Sequence, residues 1–256
     1  MSRRKLRTTV TTAAVAVAAL GGATLAALGG TAVAAGSTSA KPTVLAAASL
    51  TDIFPKIYPD ASFTFGGSGA LETDIEQGAP ADVFASASPT QADQLYAKHL
   101  VDRPVEFATN LLVLIVPRRN PAHIRSVNDI TRPGVKLVIC NATVPCGDYA
   151  RDVFTDLGIT KAAMRNVVSQ ATDVTQVVAQ VSLGQADAGF VYITDARTAA
   201  GKVKVIDLPA KAKPHTQDWI AVVRAGKHQA AAKAFVNAVL SSAGQAKLRA
   251  AGFGRR

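Results

Sequence analysis

From residue 43 onward the chain alternates short, continuously apolar runs with stretches whose apolar positions recur every three to four residues. The runs predict strands at 43–47 (TVLAA), 63–65, 83–87, 110–117 (NLLVLIVP), 135–140 (VKLVIC), 167–168, 188–192 (AGFVY), 203–206 and 218–223 (DWIAVV). The periodic stretches predict helices at 50–57, from Ser68 through Leu71 and Ile75 to a stop at Gly78, and from Pro89 to about 100 behind Ser88 as cap. Further helices are expected at 126–130, at 148–157 with Tyr149, Val153, Phe154 and Leu157 as stripe, at 174–183 with Val174, Val177, Val178 and Val181, at 228–240, and at 242–250. Strands alternating with helices place the chain in the α/β class, with parallel or mixed sheets. Arg118-Arg119-Asn120-Pro121 breaks one apolar run, and residues 218–223 open another. Taken as crossovers, they divide the chain into a first lobe (43–117), a second lobe (118–217) and a C-terminal completion of the first (218–256).

The segment before residue 43 reads differently. A basic start (SRRKLR), an apolar stretch over 10–34 and the small-x-small triplet Ala32-Val33-Ala34 predict an export signal over 1–35, followed by a polar linker over 36–42. A Sec signal fits better than a twin-arginine one, and an uncleaved anchor is the alternative. No cysteine lies near the cleavage triplet, so no lipobox is expected. The mature chain is then exported and extracytoplasmic. Its core must be built from aliphatic residues, because aromatics make up 5% of a chain that is 48% hydrophobic. The formal charge of +10 carries little further meaning: four of the 28 basic residues fall in the first seven positions, and the rest are scattered. Without a basic cluster flanked by aromatics, no nucleic-acid partner is expected. Export permits a disulfide between Cys140 and Cys146, but two buried thiols fit as well; two cysteines without a neighbouring histidine make a poor metal site.

Four expected strand-to-helix turns share a chemistry. Ser49, Ser68, Cys146-Gly147 and Asp173-Val174 each stand at a helix start, where unpaired N–H groups and the positive end of the helix dipole face outward. In an open α/β sheet such turns gather at the carboxyl ends of the strands. Tyr192, ending a strand, adds a phenol. Each feature alone has an ordinary explanation: the serines as helix caps, the tyrosine at the edge of a core, Gly66, Gly67 and Gly69 as a tight turn. Together they describe a cleft for a compact oxyanion, with the glycines letting it approach the backbone. None of these turns carries Arg or Lys. Neutral donors suit a fully ionised anion, since a protonated one would aim an O–H at a donor and leave a hydrogen bond unmade, at about 1–3 kcal/mol when buried. Asp173 could reverse that preference, but it also suits a helix cap. A serine hydrolase is the competing reading; Ser68 sits in a Gly-Ser-Gly turn, yet Ala70 breaks the nucleophile-elbow pattern, and His99, His123, His215 and His228 form no local triad.

The segments AAASLTD (46–52), GGSGAL (66–71), EQGAPADVFASA (76–87), VPCGDYA (144–150), TDV (172–174) and GFVYITDA (189–196) resemble the molybdate-binding proteins of ABC importers, which are type II periplasmic-type solute-binding proteins. The resemblance extends over residues 43–253. It implies a two-lobed periplasmic-binding-protein-like fold of mixed sheets flanked by helices, with a ligand cleft between the lobes. It further implies a non-enzymatic monomer without cofactor that binds molybdate, and tungstate as well, and serves a membrane ABC permease. Sulfate or phosphate is the alternative ligand. By resemblance the anion is held by Ser49 and Ser68 from the first lobe, and by the Cys146 and Val174 amides and the Tyr192 hydroxyl from the second. Two departures stand out: Cys146 replaces the small residue usual in the family, and the first helix with its following loop is short.

Overall fold

The computed structural model describes residues 41–256. The expected export signal and nearly all of the linker lie outside the described residues. Among the described residues, ten strands form two five-stranded sheets, and helices flank both. The chain enters β1 (Thr43–Ala47), makes a 3-10 turn (Ala48–Leu50), and continues through α1 (Phe54–Ile57), β2 (Ser62–Gly66), α2 (Ser68–Glu76), β3 (Val83–Ser86), α3 (Pro89–Ala97) and β4 (Val105–Asn110). It then changes sheets. β5 (Leu112–Pro117), β6 (Leu137–Cys140), α4 (Pro145–Asp156), α5 (Thr160–Arg165), β7 (Val167–Ala171), α6 (Val174–Ser182), β8 (Ala188–Tyr192), α7 (Ile193–Thr198) and β9 (Val203–Ile206) follow. β10 (Thr216–Val222) returns to the first sheet, and α8 (Gln229–Leu240) and α9 (Ser242–Ala251) complete that lobe.

The first sheet has the order β2-β1-β3-β10-β4, the second β7-β6-β8-β5-β9. In the first, β1 pairs in parallel with β2 and β3, and β10 runs antiparallel between β3 and β4. In the second, β6 pairs in parallel with β7 and β8, while β5 runs antiparallel to β8 and β9. Both sheets are therefore mixed. A parallel set gathers the carboxyl ends of its strands at one edge. That geometry brings the turns after β1, β2, β6, β7 and β8 into the space between the lobes.

The apolar run at 110–117 divides where the sequence reading kept it whole. Asn110 ends β4 in the first sheet, Leu111 is the link, and Leu112 begins β5 in the second. The first crossing thus falls at Leu111, not at Arg118, and residues 112–117 belong with the second sheet. Asn110 explains the break: its own Oδ1 accepts the Leu111 amide at 2.9 Å, so its side chain replaces a ladder partner there. The return crossing occupies residues 207–215. The helix expected at 50–57 is also divided, into the 3-10 turn and a four-residue α1 with Pro55 in its first turn. α5 was not expected from the sequence, since a six-residue helix offers too little periodicity.

Few aromatics fill each core, but they meet one another. Phe54 packs edge-on against Phe235 of α8 at 5.3 Å and, tilted by 46°, against Phe107 of β4 at 5.7 Å. Phe154 of α4 meets Phe190 of β8 at 5.4 Å in the second lobe. Aliphatic strands supply the remainder, with Leu112, Leu114, Ile115, Leu137, Val138 and Ile139 sealed from solvent. These contacts fix the helix starts against their sheets.

Candidate functional site

Ser49, Ser68, Cys146, Val174 and Tyr192 all line one small cavity between the two lobes, together with Gly66, Gly67, Ala87, Val144 and Asp173. It is a tight cavity, with about 10 Å³ of free room, close to the space a single water needs, and it admits no sugar or peptide. The lobes are therefore closed on each other. Ser49 comes from the 3-10 turn after β1, and Ser68 is the first residue of α2. From the other side come Cys146, the second residue of α4, Val174, the first of α6, and Tyr192, the last of β8.

The hydrogen bonds of these groups are incomplete. Ser49 Oγ and Tyr192 Oη are buried and have no partner among the described residues. Ser49 is thus not the helix cap that its position also allowed. Ser68 Oγ accepts the Ala87 amide at 3.2 Å and keeps its own proton to donate. The amides of Cys146 and Val174, at the open ends of their helices, take part in none of the turn or cap bonds among the described residues. Asp173 is occupied: its Oδ1 accepts from the Gln176 amide at 3.1 Å and from Thr175 Oγ1 at 2.5 Å, capping α6. Among the described residues, no Arg or Lys lines the cavity. Burial, reinforced by nearby Tyr149 and Asp218, holds the Tyr192 phenol well above its usual range, so it stays a donor. What remains is a set of neutral donors from both lobes lining one cavity.

The glycine-rich turn, which lines the cavity through Gly66 and Gly67, also meets the facing lobe. A Cβ on Gly67 would lie 2.4 Å from the Thr172 carbonyl oxygen and 2.9 Å from Val144 Cγ2; one on Gly69 would lie 2.2 Å from the Thr143 carbonyl oxygen. Thr143, Val144 and Thr172 belong to the second lobe. Gly67 and Gly69 therefore admit the opposing lobe, whereas a Cβ on Gly66 would meet only Leu71 at ordinary contact. Other ties across the cleft also escaped the sequence reading: Thr198 Oγ1 donates to Asp52 Oδ2 at 2.9 Å, and Asn110 Nδ2 donates to Thr194 Oγ1 at 3.0 Å. Their partners lie 84 to 146 residues apart, so no local pattern marks them.

Cys140 and Cys146 form a disulfide, the alternative that spacing alone left open. It joins the end of β6 to the start of α4 and closes the loop over 141–145, whose Thr143 and Val144 meet the glycines of the facing lobe.

Asp195 supports Tyr192 from below. Its Oδ2 accepts the Tyr192 amide at 2.9 Å, and burial, joined by the charge of Asp52, pushes its carboxyl up to about 7. In the unfolded chain the same group titrates near 4. The folded protein therefore holds an extra proton between those values, and the associated stability is complete below about pH 4 and lost as pH rises through about 7. Chemical denaturation of the ligand-free protein should show this fall across pH 4–7, and Asp195→Asn should reduce its slope, with Glu72 and Asp218, whose carboxyls burial also raises, supplying the remainder. A variant with the wild-type slope would remove Asp195 as its source.

The family model for bacterial extracellular solute-binding proteins matches residues 43–254. The chain is 40% identical over 222 residues to the molybdate-binding protein ModA of Mycobacterium tuberculosis, covering 83% of this chain and 84% of that protein. It is 30% identical to the Escherichia coli protein of the same name, over 76% of this chain and 81% of that one. Among solved structures, the periplasmic molybdate-binding protein of Azotobacter vinelandii superposes with a TM-score of 0.72 at 23% identity, covering 84% of this chain and all of that one. The two mixed sheets, the cleft between them and the match over nearly every described residue agree: the chain belongs to the bacterial extracellular solute-binding proteins.

Proposed function

We propose that this protein captures molybdate between its two lobes and delivers it to an ABC import permease, with tungstate as a second cargo. The observation that carries the reading is the pair of buried hydroxyls, Ser49 Oγ and Tyr192 Oη, one from each lobe, lining one small cavity between the lobes and unpartnered among the described residues. Buried donors without acceptors cost about 1–3 kcal/mol each, and an oxyanion with only acceptor oxygens would satisfy both. Ser68 and the Cys146 and Val174 amides complete the proposed donor set. Asp173 is spent on capping α6, so no free carboxylate selects a protonated anion such as hydrogen phosphate. The relatives named for molybdate supply the identity of the anion. Molybdate and sulfate are both tetrahedral dianions, so the choice between them rests on cavity size.

Thermal unfolding tests this. At a hundredfold excess over Kd, a ligand specific for the folded state adds about 2.7 kcal/mol. For a chain of this size that raises Tm by roughly 5–10 °C. Molybdate and tungstate should give such shifts, and sulfate and phosphate little or none. A larger shift with sulfate or phosphate than with molybdate would overturn the assignment.

A further inference from the structure

The Cys140–Cys146 disulfide lies where the proposed anion meets the second lobe. Cys146 lines the cavity and is 2% exposed, and its sulfur is three bonds from the amide proposed to face the anion. We infer that this disulfide is a determinant of anion affinity: intact, it keeps the sulfur at the start of α4 uncharged, and opened, it leaves a thiol there that ionises and repels the anion. The inference rests on the proposed capture of molybdate.

The same features that attract an oxyanion favour a thiolate. A cysteine in the first turn of a helix feels the unpaired N–H groups and the positive end of the dipole, which lower its pKa. Arg151 adds a fixed positive charge: its Nη1 donates to the Gly147 carbonyl at 2.7 Å and to the Cys140 carbonyl at 3.2 Å. Asp148 on α4, Asp173 at the start of α6 and burial of the sulfur oppose ionisation. Tyr192 on β8 faces the cavity as a neutral phenol, and the first lobe contributes Ser49 and Ser68, which do not titrate. A thiol placed so forms more thiolate as pH rises. Its charge then competes with the anion for the same donors, in a site without a lining Arg or Lys to offset it.

Opening the bond takes two electrons and two protons. An external dithiol supplies both, the S–S bond becomes two thiols, and the dithiol closes its own disulfide.

Calorimetric titration of the full chain with sodium molybdate, oxidised and after treatment with dithiothreitol, tests the inference at pH 6.5 and pH 9, with thiol counting to verify each state. The oxidised protein sets the baseline, which carries any slope from Asp195 beneath Tyr192, whose carboxyl is pushed up to about 7. The reduced protein should lose at least about tenfold more affinity than the oxidised protein between pH 6.5 and pH 9, as a like charge a few ångströms from a dianion requires. Cys140→Ala, which leaves Cys146 as a thiol, should show the reduced protein's slope without reductant. Cys140→Ala/Cys146→Ala, which has no ionisable sulfur, should show the oxidised baseline. Equal affinity of oxidised and reduced protein at pH 9, or the reduced protein's slope persisting in the double variant, would overturn the inference while leaving molybdate capture standing. Oxidised protein that fails to bind molybdate at either pH would overturn both.

Discussion

Replacing Gly67 by alanine is expected to weaken molybdate binding by at least about a hundredfold while leaving the ligand-free protein folded. Gly67 has φ −67° and ψ 132°, a conformation alanine adopts without strain. The added methyl meets nothing within its own lobe as closely as it meets the other, where the Thr172 carbonyl oxygen would lie 2.4 Å away and Val144 Cγ2 2.9 Å. Relief requires the lobes to part by something near an ångström. Crowding of this kind costs about 1–3 kcal/mol, and an ångström of misplacement between positioned groups costs about a hundredfold. An open molecule escapes the clash, so circular dichroism and Tm without ligand should stay close to wild type. Gly69→Ala offers a sharper contrast. Alanine favours a helix over glycine by up to about 1 kcal/mol, so α2 gains in the open protein, while closure meets the Thr143 carbonyl at 2.2 Å. Tighter or unchanged binding in both variants would show that the glycines do not serve closure.

Removing the unpartnered hydroxyls should act in opposite directions on affinity and stability. Ser49→Ala and Tyr192→Phe each delete a buried donor that has no protein acceptor. Without ligand, the loss of a desolvated group with no hydrogen bond leaves stability unchanged or raises it by about 1 kcal/mol. With ligand, each variant forfeits a hydrogen bond to a charged acceptor, worth about 1.5–3 kcal/mol, or roughly 10- to 100-fold in Kd. Ser68→Ala differs, because its Oγ also accepts the Ala87 amide and that bond is lost in both states. Denaturant titration and calorimetry on the same samples separate the effects. Destabilisation of the ligand-free Ser49→Ala protein by more than about 1 kcal/mol would mean that this hydroxyl serves the fold instead of a ligand.

The sequence made the α/β alternation legible because each strand is a short apolar run and the longer helices carry a clear stripe. α6, with Val174, Val177 and Val181 buried and Asp173 as cap, needed only local information. The division at Leu111 did not show, because a change of sheet alters the partners of a strand without altering its apolar character. The turns that line the cavity were legible for a related reason: strand, small or hydroxyl residue, then helix is a local pattern. How the lobes meet was not. Gly67 and Gly69 read as room for an anion because the carbonyls they face come from residues 143 and 172. The disulfide stayed open because spacing permits a bridge without requiring it; only the approach of the end of β6 to the start of α4 decides.

The link between the sheets at Leu111 is a single residue, with β4 ending at Asn110 and β5 starting at Leu112. It tethers two sets of donors so closely that each is held near the other at high effective concentration. An anion caught by either half would meet the remaining donors as neighbours within one molecule, so the second half of the capture needs no further encounter. Lengthening this joint with flexible residues would dilute one half-site relative to the other, without touching any group that lines the cavity.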